Sequence, residues 1–208
     1  MSTEVDARNP TCITLTQEQK DRSMRESYWD HAIRYGLEYY VAGRFAIAHH
    51  FIPVGANILH HAVEMLLKAC LAKLDGPGSV REYGHRLVPL WQDFKRRCTV
   101  PVPDEFELII QGLDAFEEIR YPERLIRDGA RITIDVFNVE APPLQSNGMR
   151  TEKSYSLKLP QVDRLMGLLF EASGANPPAF LPRITEDETG LRYYNMIRPT
   201  LFGRSERE

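Results

Sequence analysis

A surplus of positive charge is missing from this sequence. Its 26 Lys and Arg stand against 29 Asp and Glu, a formal net charge of −3. No global field therefore gathers polyanions, and any nucleic-acid contact must rest on a local basic patch. Cysteine is scarce: the three present, Cys12, Cys70 and Cys98, form no C-x-x-C pair and cannot all be bridged within one chain. Reduced thiols and a cytosolic setting are expected, with Cys70 a small core residue. Nowhere do about 18 apolar residues run together, so no membrane-spanning helix is expected. The opening stretch, residues 1–22, lacks the apolar core of a signal peptide, which again points to the cytoplasm. Internal repeats and low-complexity segments are absent too, which excludes solenoids and disordered tracts.

What is present suits one buried core. The chain has 208 residues, of which 43% are hydrophobic and 26% charged, ordinary values for a globular protein. Residues 1–15 read as a flexible arm. Thr16 and Gln19 then have capping-box spacing, and Trp29, Ile33, Leu37, Tyr40, Val41, Phe45 and Ala48 mark one stripe of a long helix that ends at Pro53. A second helix starts at Pro53 and stops at Asp75-Gly-Pro-Gly78. A third covers 86–98 with Pro89 in its first turn. A fourth, N-capped by Asp104, runs to Pro122.

Beyond it, Arg131 to Val139 and Ser154 to Leu159 alternate with period two around Asn147-Gly148, the pattern of a hairpin over 131–159. A last helix, 160–173, opens at Pro160 and closes at Gly174. The expected fold is mainly α, an antiparallel helical bundle over 16–175 with an added β-hairpin and a C-terminal helix. The tail, 176–208, is too apolar for disorder and is expected to pack on the bundle or a dimer partner.

Histidine clusters in HHFIPVGANILHH, residues 49–61, which holds four of the chain's six histidines. Pro53 makes this the corner between two helices and sets the pairs apart along the axis, so one metal ion cannot bridge them. His60 and Glu64 share an i,i+4 face suited to zinc, but further ligands are missing, and neither metal nor cofactor is expected. His61, Glu64 and Lys68 read as a helix-surface ion pair beside a histidine that bonds across the bundle. His85 reads as a cap or anchor for the third helix. Arg120, Arg124, Arg127 and Arg131, with Lys95, Arg96 and Arg97, form a candidate phosphate strip that Glu117, Glu118, Glu123 and Asp128 can neutralise. The aromatics Tyr28, Trp29, Tyr35, Tyr39 and Tyr40 are expected mainly on the core or dimer side of the first helix.

Three stretches share a pattern: His61-Ala-Val-Glu64-Met-Leu-Leu67-Lys68-Ala69, Gly84-His85-Arg-Leu87 and Arg120-Tyr-Pro122. Together they resemble the HEPN family, the higher eukaryote and prokaryote nucleotide-binding domain, over about residues 25–125. The resemblance implies an all-α bundle, usually a homodimer, found in RNA-directed toxin and defence systems and beside nucleotidyltransferases. Catalytic members resemble metal-independent ribonucleases with an Arg, four to six residues, then a His at the start of the last core helix.

Here the spacing is met by Arg25 with His31 and by Arg44 with His49 or His50, all in the first helix. Residues 103–122 contain no histidine, and Arg81 and His85 are one residue too close. The reading is therefore a non-catalytic binding or regulatory module, with RNA or a nucleotide as ligand. Its candidate ligand-binding residues are Arg44, His61, Glu64, Lys68, His85, Arg120 and Arg124. One alternative is a ribonuclease using Arg44 with His49, His50 or His61, or Arg81 with His85. The other is a dimerising scaffold for a protein partner.

Overall fold

The computed structural model describes residues 16–121, 123, 126, 127, 129–136 and 153–180. The expected arm 1–15, the hairpin turn at Asn147-Gly148, Arg124 and most of the expected tail lie outside the described residues.

Helix α1, Gln17–Ala48, begins at the expected capping box: Gln19 N–H donates to Thr16 Oγ1 at 3.3 Å, and Thr16 N–H donates to Gln19 Oε1 at 2.8 Å. Its C-terminal corner is a Schellman motif, with His50 N–H donating to Ile47 O and Phe51 N–H to Ala46 O, both at 2.9 Å. His50 occupies the left-handed position with φ 63°. Helix α2, Ile52–Asp75, then turns back with Pro53 in its first turn.

Helices α1 and α2 make the most extensive contact in the fold, and three glycines set their separation. A Cβ on Gly43 would stand 2.8 Å from Leu59 Cγ, and one on Gly55 would stand 3.0 Å from the Gly43 carbonyl oxygen. Gly36 faces Leu66 with a corresponding distance of 2.9 Å. The glycines that α1 tolerates are thus where the two backbones meet.

Helix α3, Leu87–Arg97, is capped from outside: Leu87 N–H donates to Asp114 Oδ1 at 2.7 Å, from the last turn of helix α4, Phe106–Phe116. Helix α4 differs from expectation at both ends. Its N-cap is Glu105 with no side-chain cap bond, while Asp104 contributes only its carbonyl, accepting from Glu107 N–H at 3.0 Å. After Phe116 the chain tightens into a 3₁₀ turn, Glu117–Ile119, so the α-helix stops before Pro122.

Strands β1, Ala130–Asp135, and β2, Lys153–Lys158, lie where alternation places them, but they pair parallel, with Ala130 opposite Lys153 and Asp135 opposite Lys158. This corrects the antiparallel hairpin. Period-two alternation is the same in either direction, so it cannot distinguish the two pairings. Tyr155 and Leu157 turn inward, and Phe116 packs on the Tyr155 ring with centroids 5.8 Å apart.

Helix α5, Leu159–Ser173, has Pro160 in its first turn and ends at Gly174 with φ 69°. The short α6, Pro177–Phe180, sets Phe180 edge-on against Trp29, with ring centroids 5.8 Å apart. The five long helices form a bundle, with Trp91, Tyr40, Phe116, Ile33, Leu59 and Leu66 fully buried in one continuous core. Among the described residues, no helix is long and apolar enough to cross a membrane.

Candidate functional site

Glu64 is the centre of the polar chemistry in the bundle. It sits in mid-α2 on the same stripe as Leu67 and Leu71, and only 1% of its surface is exposed. A carboxylate at that depth requires full hydrogen bonding. Lys68 Nζ donates to Oε1 at 2.5 Å, and His61 Nδ1 and His85 Nδ1 each lie 3.1 Å from Oε2. Burial pushes the Glu64 carboxyl up, but the hydrogen bonds from His61, Lys68 and His85, with the Lys68 charge, outweigh it and hold the group at about 2.

Lys68 is itself buried and also donates to the Gly84 carbonyl at 2.7 Å. The expected surface ion pair is therefore a buried one, and the Gly84-His85 turn closes over it. Gly84 adopts φ 56° there, which leaves its carbonyl and the His85 ring directed at α2. His85 does not cap α3, since Asp114 does so; it joins that turn to Glu64.

A fourth group completes the cluster. His60 is fully buried, and its Nδ1 lies 3.0 Å from the Leu113 carbonyl on α4. The carbonyl can only accept, so Nδ1 carries the proton and Nε2 carries the lone pair. That Nε2 has no hydrogen-bond partner among the described residues and stands 3.9 Å from Glu64 Oε2. Burial pushes the His60 pKa down, in keeping with a neutral ring. Two acceptors thus face each other in the core. The His61 ring packs between those of Tyr39 and His85, with centroids 5.9 Å and 5.5 Å away.

The remaining candidates lie elsewhere. Arg44 pairs with the buried Asp163 of α5 at 3.5 Å, its own side chain about a tenth exposed, and Tyr40 Oη donates to the same carboxylate at 2.6 Å. Burial raises the Asp163 pKa, against the Arg44 charge and the Tyr40 bond. Arg44 is thus committed to holding α1 on α5. Arg120 pairs with Glu117 at 3.0 Å, Arg96 with Asp93 at 2.6 Å, Lys95 with Glu107, and Arg97 with Asp75. The strip that reads as phosphate-binding in sequence is largely spent on neighbouring carboxylates. Tyr35 and Tyr39 are exposed, whereas Tyr40 is buried.

Sequence reasoning did not find the groove beside the cluster. It is an open cavity of about 810 Å³ between the first turns of α1 and the α2–α3 connection, lined by Lys20, Ser27, Tyr28, His31 and Arg81 among others. Lys20 and Arg81 are exposed, and neither side chain pairs with a described residue. Tyr28 is half-buried at the groove's inner wall. Burial and the Glu64 charge push its phenol up, while the Arg81 charge pulls it down. No local spacing announces this groove, because its walls come from two segments about 50 residues apart in the chain. Comparison of the chain with protein-family models, with curated proteins and with solved structures finds no match.

Proposed function

We propose that the chain is a HEPN-like binding module, non-catalytic, that takes single-stranded RNA or a nucleotide in the groove between α1 and the α2–α3 connection. The carrying observation is that two cations without a partner among the described residues, Lys20 and Arg81, line one cavity of about 810 Å³ together with Tyr28 and His31. Cations that track phosphates beside aromatic faces that stack bases are what sequence-tolerant single-strand binding uses. The volume suits a ligand of nucleotide size. The chain's net charge of −3 confines binding to such a local patch. The resemblance to the family adds a homodimer to this reading, which sedimentation of the purified protein checks.

The test is fluorescence anisotropy of a labelled single-stranded RNA across a salt series, with chelator present. Affinity should fall with salt, and Lys20→Ala and Arg81→Ala should each weaken binding and flatten the slope by about 0.7. Affinity indifferent to salt and to both substitutions would leave a protein-binding scaffold as the better reading.

One observation favours a second reading, a metal-independent ribonuclease. The exposed His85 bonds to Glu64, four residues after Arg81. A histidine oriented by a carboxylate beside an arginine is an arrangement for acid-base work on a phosphodiester. RNA cleavage in the presence of chelator, abolished in His85→Ala, would establish it in place of pure binding.

A further inference from the structure

We propose that His60, His61 and Glu64 of α2, with His85 from the Gly84-His85 turn, form a binding site for a divalent transition-metal ion of the zinc class. The sequence argues against metal because His60 and Glu64 lack further ligands; the fold supplies them. A ring nitrogen of His60, one of His61 and a carboxylate oxygen of Glu64 all lie within 4.8 Å of one another. Measured from Glu64 Oε2, the ring nitrogens of His61, His85 and His60 stand at 3.1, 3.1 and 3.9 Å. Zinc held tetrahedrally at about 2.0–2.1 Å by nitrogen and oxygen separates its ligands by about 3.3 Å. His85 lies outside that close group of three, so its exposed ring swings in with the turn, and the protons that the His61 and His85 Nδ1 atoms direct at Oε2 move to Nε2 when the ion enters.

The decisive group is His60. Its fully buried imidazole nitrogen, without a partner among the described residues, directs its lone pair at a carboxylate oxygen, a pair of acceptors that one cation satisfies together. The outer contacts are also those of a metal centre. His60 Nδ1–H is held by the Leu113 carbonyl, which fixes the tautomer, and Lys68 holds Oε1 of Glu64, leaving Oε2 for the ion. The Lys68 charge opposes the ion, so nitrogen ligands supply most of the affinity, which favours zinc, cobalt or nickel over calcium or magnesium. His85 is exposed and supplies the fourth ligand from outside, closing the site with the turn that covers Lys68.

The inference is independent of the RNA reading. It is tested on the full chain, stripped with chelator and then titrated with Zn²⁺ alone against a chromophoric competitor, with Co²⁺ as the spectroscopic probe. The expected result is one Zn²⁺ per chain after gel filtration, a raised Tm, and the intense visible bands of four-coordinate Co²⁺. His61→Gln and His85→Gln change partly or largely exposed side chains, so each should keep the wild-type circular dichroism while weakening zinc at least about 10-fold. Retention of less than a tenth of an equivalent by the wild-type chain would overturn the proposal. So would wild-type zinc affinity in both variants, since any metal bound would then lie elsewhere.

Discussion

His85 Nδ1 and Glu64 Oε2 lie 3.1 Å apart, joining residues 21 positions distant in the chain. That contact ties the α2–α3 turn to the middle of α2, and Lys68 reinforces it by bridging the Glu64 carboxylate and the Gly84 carbonyl. One buried carboxylate thereby organises groups that helical spacing alone leaves unconnected.

Removing one partner of this buried pair leaves the other charged and uncompensated. Glu64→Gln should cost about 3 kcal/mol and lower Tm by roughly 6–12 °C. The Glu64→Gln, Lys68→Met double variant should be less destabilised than the sum of the singles, and urea unfolding measures the coupling. The pH dependence has a definite sign. A carboxyl whose ordinary value is 4.5 and whose folded value is about 2 contributes stability fully above pH 4.5 and loses it as pH falls towards 2. The stability difference between metal-free wild type and Glu64→Gln should therefore shrink over that window; a difference unchanged at pH 2.5 would contradict the assignment.

The α1–α2 crossing predicts an ordering of two glycine variants. At Gly36 an added methyl meets the Leu66 side chain at 2.9 and 3.0 Å, which can shift, and the Ala62 carbonyl oxygen only at 3.3 Å, while alanine gains about 1 kcal/mol of helix propensity. Gly36→Ala should therefore lie within about 1 kcal/mol of wild type. At Gly55 the methyl meets backbone, the Gly43 carbonyl oxygen and the Ile47 nitrogen, both at 3.0 Å. Gly55→Ala should cost roughly 2 kcal/mol or more. Thermal melts that reverse this order would mean that the crossing is looser than described.

His50 holds a left-handed conformation where helix C-termini favour glycine. Glycine there relieves strain of about 1–2 kcal/mol at some cost in chain entropy. His50→Gly should raise stability by about 0.5 kcal/mol, and a loss would show that the ring contributes more than the backbone strain removes.

Cys70 and Cys98 should differ in reactivity. Burial and the nearby Cys98 push the Cys70 thiol up to about 12, so at pH 8 it carries negligible thiolate, whereas Cys98 is partly exposed. Brief alkylation of the native protein, mapped by mass spectrometry, should label Cys98 and spare Cys70 until denaturant is added. Equal labelling would contradict the packing of α2 on α5.

Much of the fold is legible in the sequence because its signals are local. The Thr16 capping box, the turn before Pro53, Pro160 at a helix start and left-handed Gly174 each act within a few residues. Strand direction is not legible, since alternation is indifferent to it. The site was half legible. Glu64 and Lys68 at i,i+4 look the same on a surface and in a core, and only tertiary packing decides between them. His60 had a readable signal, as it shares its stripe with Ala56, Val63 and Leu67, all fully buried. Asp163 likewise sits among Leu159, Val162, Met166 and Phe170 on the inner face of α5, and a lone carboxylate there calls for a cation, which Arg44 provides. The Glu64–His85 contact and the Lys20–Arg81 groove had no such signal, because each joins segments that only the fold brings together.

The central claim is that Glu64 gathers His60, His61 and His85 in one cluster, and ¹⁵N-labelled histidine NMR on the metal-free chain tests it directly. In wild type, His60 should show a protonated Nδ1 and an unprotonated Nε2. Glu64→Gln should shift the ring nitrogens of His60, His61 and His85 together while leaving those of His31, His49 and His50 in place. A shift confined to His61, the residue one turn away on the same helix, would contradict the cluster.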